Sequence, residues 1–167
     1  MVLNKPELIG SLQNEVRILL HLAGKADARA LEYRPSPKQR SAFELLQYLS
    51  IMGPALIRAA QAGTFDPAAW TVVEKEAAAR DLDQTLATIA GQKDDYASLL
   101  GGMSDAEFRE EVQMFGTKSS RGAFIVNLVL GGCAAYRTQL FLYLKACGLD
   151  ELSTMNLWAG MDPPKPA

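Results

Sequence analysis

The 167-residue sequence combines 49% hydrophobic with 22% charged residues and has a formal net charge of −2. These values exclude a disordered chain, and the balance of 17 basic to 19 acidic residues argues against a nucleic-acid-binding surface. We expect one domain over residues 1–160 and a frayed, proline-rich tail over 161–167. No apolar stretch is expected to approach the roughly 18 residues that a membrane span needs, and no signal peptide is expected at the N-terminus.

Cysteine usage bears on the cellular compartment. Cys133 and Cys147 are the only two cysteines, and both fall on one predicted helix. At about 1.5 Å per residue they lie about 21 Å apart along that helix, too far for a disulfide between them. Two free thiols are typical of a reducing compartment, so we predict a cytoplasmic protein.

Apolar residues recur with helical spacing along the chain, which predicts an all-α fold. The first helix is predicted from about Pro6 to Lys25. The second starts after Ser41, because Ser41 and Glu44 have the spacing of a capping box. A third helix is predicted from Lys75 to about Leu100.

The C-terminal half adds a short helix after Ser104, which starts a second capping-box pattern, and an irregular or briefly extended stretch over 111–116. The last long helix is predicted from about Ser120 to Cys147, with Gly148 ending it. It is apolar over most of its circumference, so it needs cover on more than one side. A second copy of the chain would supply that cover, and we therefore expect a homodimer.

Few residues are available for metal or nucleophilic chemistry. His21 is the single histidine, so a three-histidine metal centre cannot be built, and its position on the polar face of the first helix predicts a solvated side chain. The sequence also lacks the glycine-rich phosphate loop, the dinucleotide fingerprint and the serine nucleophile elbow. We predict neither a metal ion nor a cofactor.

One group of polar residues on the last helix is a candidate site. Gly132 and Tyr136 are four residues apart and share a helix face, and Tyr48 of the second helix is predicted to lie beside that face. These side chains either line a small polar pocket or form hydrogen-bonded core. The predicted neighbours of this pocket are Cys133, Arg137, Gln139 and Tyr143.

Two stretches resemble the DinB-like (DinB/DfsB, YfiT-like) four-helix-bundle family. Ser41–Leu49, with the letters SAFELLQYL, is similar to the family's Ser, Glu-Leu-Leu and His-Leu segment. Tyr136–Leu140, with the letters YRTQL and a Tyr-Leu pair and glycine downstream, is similar to its His-Arg-Gly-Gln-Leu segment. The resemblance covers nearly the full chain and implies a four-helix bundle with a short extra helix and an irregular C-terminal tail.

The resemblance also implies a divalent metal held by three histidines, with metal-dependent transferase or hydrolase chemistry in some members. Carried over to this chain, the ligand positions are Tyr48, Gly132 and Tyr136. Glycine has no side chain to offer, and neutral phenols are poor ligands for Zn or Ni. A degenerate metal site is therefore expected, and the catalytic residues stay unassigned.

Three functions remain open from the sequence. The first is a non-catalytic homodimer with a small internal pocket for an apolar or amphipathic molecule. The second is a metal-independent enzyme of the thiol transferase or hydrolase type, with Tyr48 or Tyr136 as acid and Cys133 as a nucleophile activated by Arg137. The third is a protein-interaction module that uses the apolar last helix and Trp158.

Overall fold

The computed structural model describes residues 3–164 and is mainly helical, which confirms the all-α prediction. One short β-hairpin and a C-terminal π-helical turn, Met155–Ala159, accompany the α-helices. The helix that follows the hairpin runs without interruption and is π-helical over Ile125–Leu130. The elements are α1 (Lys5–Ala23), α2 (Ala28–Glu32), α3 (Ala42–Ala62), α4 (Pro67–Ala78), α5 (Leu82–Gly101), α6 (Asp105–Arg109), β1 (Glu111–Met114), β2 (Thr117–Ser120) and α7 (Arg121–Ala146).

Helices α1, α3, α5 and α7 form a four-helix bundle, as the resemblance implied. Helices α1 and α3 each pack against both α5 and α7, while α4 packs on the outside of α3. Burying a leucine-sized side chain contributes about 1.5–3 kcal/mol, so the shared core is the main source of stability. Its fully buried members include Leu12, Leu22, Leu45, Ile57, Ile89 and Leu140.

The predicted helix starts at Ser41 and Ser104 are confirmed. The Ser41 Oγ accepts a hydrogen bond from the Glu44 N–H at 3.2 Å, and the Ser41 N–H donates to the Glu44 carboxylate at 2.8 Å. Ser104 and Glu107 form the same reciprocal pair at the start of α6. Because a capping box satisfies backbone donors within four residues, it is recognisable from local sequence alone.

The single helix predicted from Lys75 to Leu100 is wrong, because the structure has two helices there. Helix α4 already begins at Pro67, with the Asp66 side chain accepting from its first backbone N–H groups. Helix α5 begins at Leu82, capped by a reciprocal Asp81–Gln84 pair. Asp81 and Gln84 have capping-box spacing, which is the signal that the sequence analysis missed.

Residues 111–116, predicted as irregular or briefly extended, belong to the β-hairpin. Glu111 pairs with Ser120 and Met114 with Thr117, which leaves a two-residue turn at Phe115 and Gly116. Both turn residues have positive φ, 51° and 75°. Glycine adopts this conformation freely whereas phenylalanine rarely does, so the backbone of Phe115 is strained at this turn.

Helix α7 spans Arg121–Ala146, which agrees with the predicted span from about Ser120 to Cys147. An 18-residue window within Arg121–Ala146 passes the length and composition test for a membrane span, which corrects the expectation that no such stretch exists. Only 22% of that window is buried, but α7 packs against both α1 and α3. We therefore treat α7 as a bundle helix.

The C-terminal segment packs on α1, and His21 lies beneath it. The His21 side chain is only 18% exposed, with Nε2 3.1 Å from the Asn156 side-chain amide, so the prediction of a solvated histidine is wrong. Within the predicted frayed tail, the Asp162 carboxylate accepts from Asn156 at 2.9 Å and lies 2.7 Å from the Lys25 ammonium. Residues 165–167 of that predicted tail lie outside the described residues.

Candidate functional site

Tyr48 and Tyr136 lie together at the interface of α3 and α7, as the sequence analysis predicted. Their ring centroids are 5.2 Å apart at an interplanar angle of 69°, an edge-to-face contact. Such pairs contribute about 0.5–1.5 kcal/mol beyond the area they bury. On the outer side, the Arg40 guanidinium lies 4.1 Å from the centroid of the Tyr48 ring.

Gly132 completes this group, with Met52 of α3 packed against it. A Cβ atom at Gly132 would lie 3.3 Å from Met52 Cε and 3.4 Å from its Sδ. Met52 is itself almost fully buried. The Met52 thioether therefore occupies the space that a metal-binding side chain at position 132 would need.

The electrostatics of this group do not fit a divalent metal. Burial raises the pKa of Tyr48 above its ordinary value, and the neighbouring Tyr136 hydroxyl raises it further. A phenol binds a metal well only as the phenolate, which a raised pKa disfavours. Within residues 3–164, no cluster of three or more His, Cys, Asp or Glu side chains has the geometry to hold a metal ion. The residues present therefore do not fit the three-histidine centre that the resemblance implied.

Cys133, a predicted pocket neighbour, packs next to the buried Tyr96 hydroxyl of α5. Burial raises the pKa of the Cys133 thiol to about 12, and the nearby Glu15 carboxylate acts in the same direction. A cysteine nucleophile requires a lowered pKa. The environment of Cys133 thus opposes the role that the metal-independent enzyme hypothesis gave to it.

Arg137, another predicted pocket neighbour, directs its side chain toward α1 and the C-terminal segment. It is 3% exposed, and its Nε lies 2.8 Å from the Glu15 carboxylate, although the N–H is not aligned for a hydrogen bond. A second guanidinium nitrogen donates to Glu15 at 3.2 Å, and a third donates to the Leu157 carbonyl. Arg137 therefore links α7, α1 and the C-terminal π-helical turn.

Gln139 and Tyr143, also predicted as pocket neighbours, form a separate pair. The Gln139 amide donates to the Tyr143 hydroxyl, and the Tyr143 ring packs on Tyr33 with centroids 5.5 Å apart. Residues 133, 136 and 137 lie within about 100° of one another on α7, yet they contact Tyr96, Tyr48 and Glu15 respectively, because three different elements pack along that face. The predicted pocket is thus divided among several contacts.

An open cleft of 290 Å³ lies between α3 and the segment that leads into α4, and sequence analysis missed it. Its aromatic wall consists of Phe65 and Trp70, whose centroids are 5.7 Å apart, and Arg58 lines the cleft as well. The Trp70 ring also lies 5.9 Å from Tyr48, so the cleft adjoins the tyrosine pair. The available signal was Asp66-Pro67, an N-cap followed by a helix-starting proline, which marks the start of α4.

A bundle of four helices with short outer helices and one hairpin is the fold class that these observations define. This chain is similar to a DinB-like protein, YjoA, from Bacillus subtilis, whose crystal structure superimposes with a TM-score of 0.65. The match covers 87% of this chain and 95% of that chain at 15% sequence identity. Neither family models nor curated proteins match the sequence. The chain therefore has the DinB-like fold, and at this identity the likeness concerns the fold alone.

Proposed function

We propose that this chain is a non-catalytic, metal-independent protein with the DinB-like fold that binds a small apolar or amphipathic molecule. The proposal rests on one observation. At the three positions where the resemblance places histidine ligands, the chain has two tyrosines packed edge to face and a glycine packed against Met52. A centre filled by the chain's own side chains has neither ligands for a metal nor space for a substrate.

The ligand-binding part of the proposal is supported by the cleft beside Trp70. The internal pocket expected between Tyr48 and Tyr136 is occupied by the ring contact and by Met52. The 290 Å³ cleft is open and mostly apolar, with Arg58 among its lining residues. Its volume is close to the lower end of about 300–1,000 Å³ that is usual for small-molecule sites. We accordingly assign the ligand to this cleft.

Metal analysis tests the first half of the proposal. After incubation with Zn, Ni, Mn or Fe and dialysis, the wild-type chain is expected to retain well below one metal ion per chain. A matched variant with Tyr48→His, Gly132→His and Tyr136→His, and with Met52→Ala to make room, restores three nitrogen ligands and is expected to retain about one. Retention of about one metal ion by the wild type would overturn the proposal. Failure of a folded histidine variant to retain metal would contradict the assignment of these three positions.

We further propose that the chain forms a homodimer through the outer face of α7. Along this helix the exposed residues at 131, 135, 138 and 142 are Gly, Ala, Thr and Leu, which share one face and carry no charge. Leu142 is 57% exposed, and much of the apolar window of α7 is incompletely buried. An uncharged, partly apolar helix face of this kind is typical of an interface between subunits.

Analytical ultracentrifugation tests the dimer. The wild type is expected to sediment as a dimer, and Leu142→Glu is expected to shift it to a monomer because a carboxylate would be buried without a partner. Val72→Glu is the matched control, since Val72 is 56% exposed but lies on α4. A monomeric wild type would contradict the dimer and favour an interaction module with a different partner. A dimer insensitive to Leu142→Glu would place the interface elsewhere.

A further inference from the structure

We propose that the ligand of the Trp70 cleft is a small aromatic carboxylate, with its ring against Phe65 and Trp70 and its carboxylate on Arg58. This inference rests on the proposed function, because it names the class of molecule that the cleft accepts. Three features of the cleft lead to it, namely its aromatic wall, its alanine-rich sides and its charge.

The aromatic wall favours a flat ring. The centroids of the Phe65 and Trp70 rings are 5.7 Å apart, and the two ring planes are tilted by 46°. Phe115, at the tip of the hairpin, does not line the cleft itself but packs on Phe65 with ring centroids 5.1 Å apart. Its positive φ of 51° is an uncommon conformation for a bulky residue, so the contact with Phe65 is made despite local strain. Aromatic rings pack on one another in offset or edge-to-face arrangements, which a flat ligand can complete.

The remaining sides of the cleft are formed by small side chains. Ala55, Ala59 and Ala62 come from α3, and Ala69 comes from α4. Alanine contributes apolar surface with little volume, so these positions leave room for a ring where larger side chains would fill the space. With a volume of 290 Å³, the cleft suits a compact molecule of one or two rings.

Arg58 is the cationic side chain of the cleft and favours an anionic group on the ligand. Arg58 is exposed. It forms no ion pair within the described range 3–164, and neither do Arg17, Arg29, Arg80 and Arg109, but among these five Arg58 is the one that lines the cleft. The acidic residue at the cleft, Asp66, already accepts hydrogen bonds from the backbone N–H groups of Ala68 and Ala69 at 2.9 and 3.2 Å. The Arg58 guanidinium therefore remains available for a carboxylate, which it can bind through two parallel hydrogen bonds.

Calorimetric titration with 2-naphthoate and with the neutral 2-naphthamide tests this inference on the full chain. The wild type is expected to bind 2-naphthoate about 3-fold more tightly than 2-naphthamide, the contribution of one ion pair at an exposed arginine. Arg58→Gln is expected to remove that preference while leaving 2-naphthamide binding unchanged. Arg29→Gln is the matched control, because Arg29 is an exposed arginine of α2 that does not line the cleft. Ala69→Phe fills the cleft and is expected to abolish binding of both compounds.

The outcomes separate this inference from the proposed function. If both compounds bind equally and Arg58→Gln has no effect, the aromatic-carboxylate assignment is overturned while ligand binding by the cleft stands. If neither compound binds the folded wild type, the assignment and the ligand-binding part of the proposed function are both overturned. If binding survives Ala69→Phe in a folded variant, the compounds bind elsewhere and the assignment is overturned. Far-ultraviolet circular dichroism of each variant establishes that it is folded.

Discussion

Gly53→Ala is expected to lower the free energy of unfolding by about 2–3 kcal/mol, the upper part of the range for overpacking a core. Gly53 lies in α3, where a Cβ atom would be 2.0 Å from the Tyr96 hydroxyl oxygen and 2.8 Å from Cζ. Tyr96 cannot move aside easily, because it is fully buried and its hydroxyl donates to Gln92 at 3.0 Å. The Gln92 amide in turn donates to the Leu49 carbonyl at 2.8 Å, so a shift of Tyr96 would disturb two hydrogen bonds.

Two other helical glycines supply the control for this prediction. At Gly10 of α1 and at Gly91 of α5, an added Cβ atom would meet no neighbouring group within 4 Å. Alanine at either site is expected to stabilise the fold by about 0.5–1 kcal/mol through its higher helix propensity. Chemical denaturation measures the free energy of unfolding of all three variants. The double variant Gly53→Ala/Tyr96→Leu should recover part of the stability that Gly53→Ala loses. A Gly53→Ala variant as stable as the two controls would show that the close approach of Tyr96 to α3 is incorrect.

The bundle could be predicted from the sequence where local signals determine the structure. Ser41–Glu44 and Ser104–Glu107 satisfy their backbone donors within one helical turn. Four consecutive residues are therefore enough to predict each helix start. The single helix predicted over residues 75–100 was wrong because another local signal, the Asp81–Gln84 cap, was not recognised. The apolar spacing alone did not reveal that break, since both helices bury residues on one side.

The candidate site could be predicted only in part. Tyr48 and Tyr136 were expected to lie side by side from their positions on two helices, a placement that the resemblance also implied, and their ring centroids are 5.2 Å apart. Local sequence does not reveal that Met52 packs on Gly132 or that Arg137 points to Glu15, since both contacts join residues far apart in the chain. The Trp70 cleft depends in the same way on how α4 packs against α3.

Arg137→Met is expected to lower the free energy of unfolding by about 3–5 kcal/mol at neutral pH, the usual effect of removing one partner of a buried ion pair. The variant leaves the Glu15 carboxylate, 12% exposed, without its cation. It also removes the donor to the Leu157 carbonyl, which helps to hold the C-terminal π-helical turn on the bundle. Urea denaturation provides the measurement. Lys118→Met is the control, because the Lys118 ammonium lies 3.7 Å from the Glu111 carboxylate and both side chains are about two-thirds exposed. Its free energy of unfolding is expected to change by less than about 1 kcal/mol.

The pH dependence of the stability lost in Arg137→Met distinguishes the effect of the missing charge from the effect of the missing packing. In the wild type, burial raises the pKa of Glu15 although Arg137 acts to lower it, so removing Arg137 raises that pKa further. A carboxyl group whose pKa is raised by folding contributes stability below its unfolded pKa and loses it as the pH rises through the folded pKa. The loss caused by Arg137→Met should therefore be smaller at about pH 4 than at about pH 7.

In Glu15→Leu/Arg137→Met no buried charge remains, so this double variant should be more stable than Arg137→Met alone and should lack that pH dependence. A loss that is equal at both pH values would mean that Arg137 stabilises the bundle by packing alone.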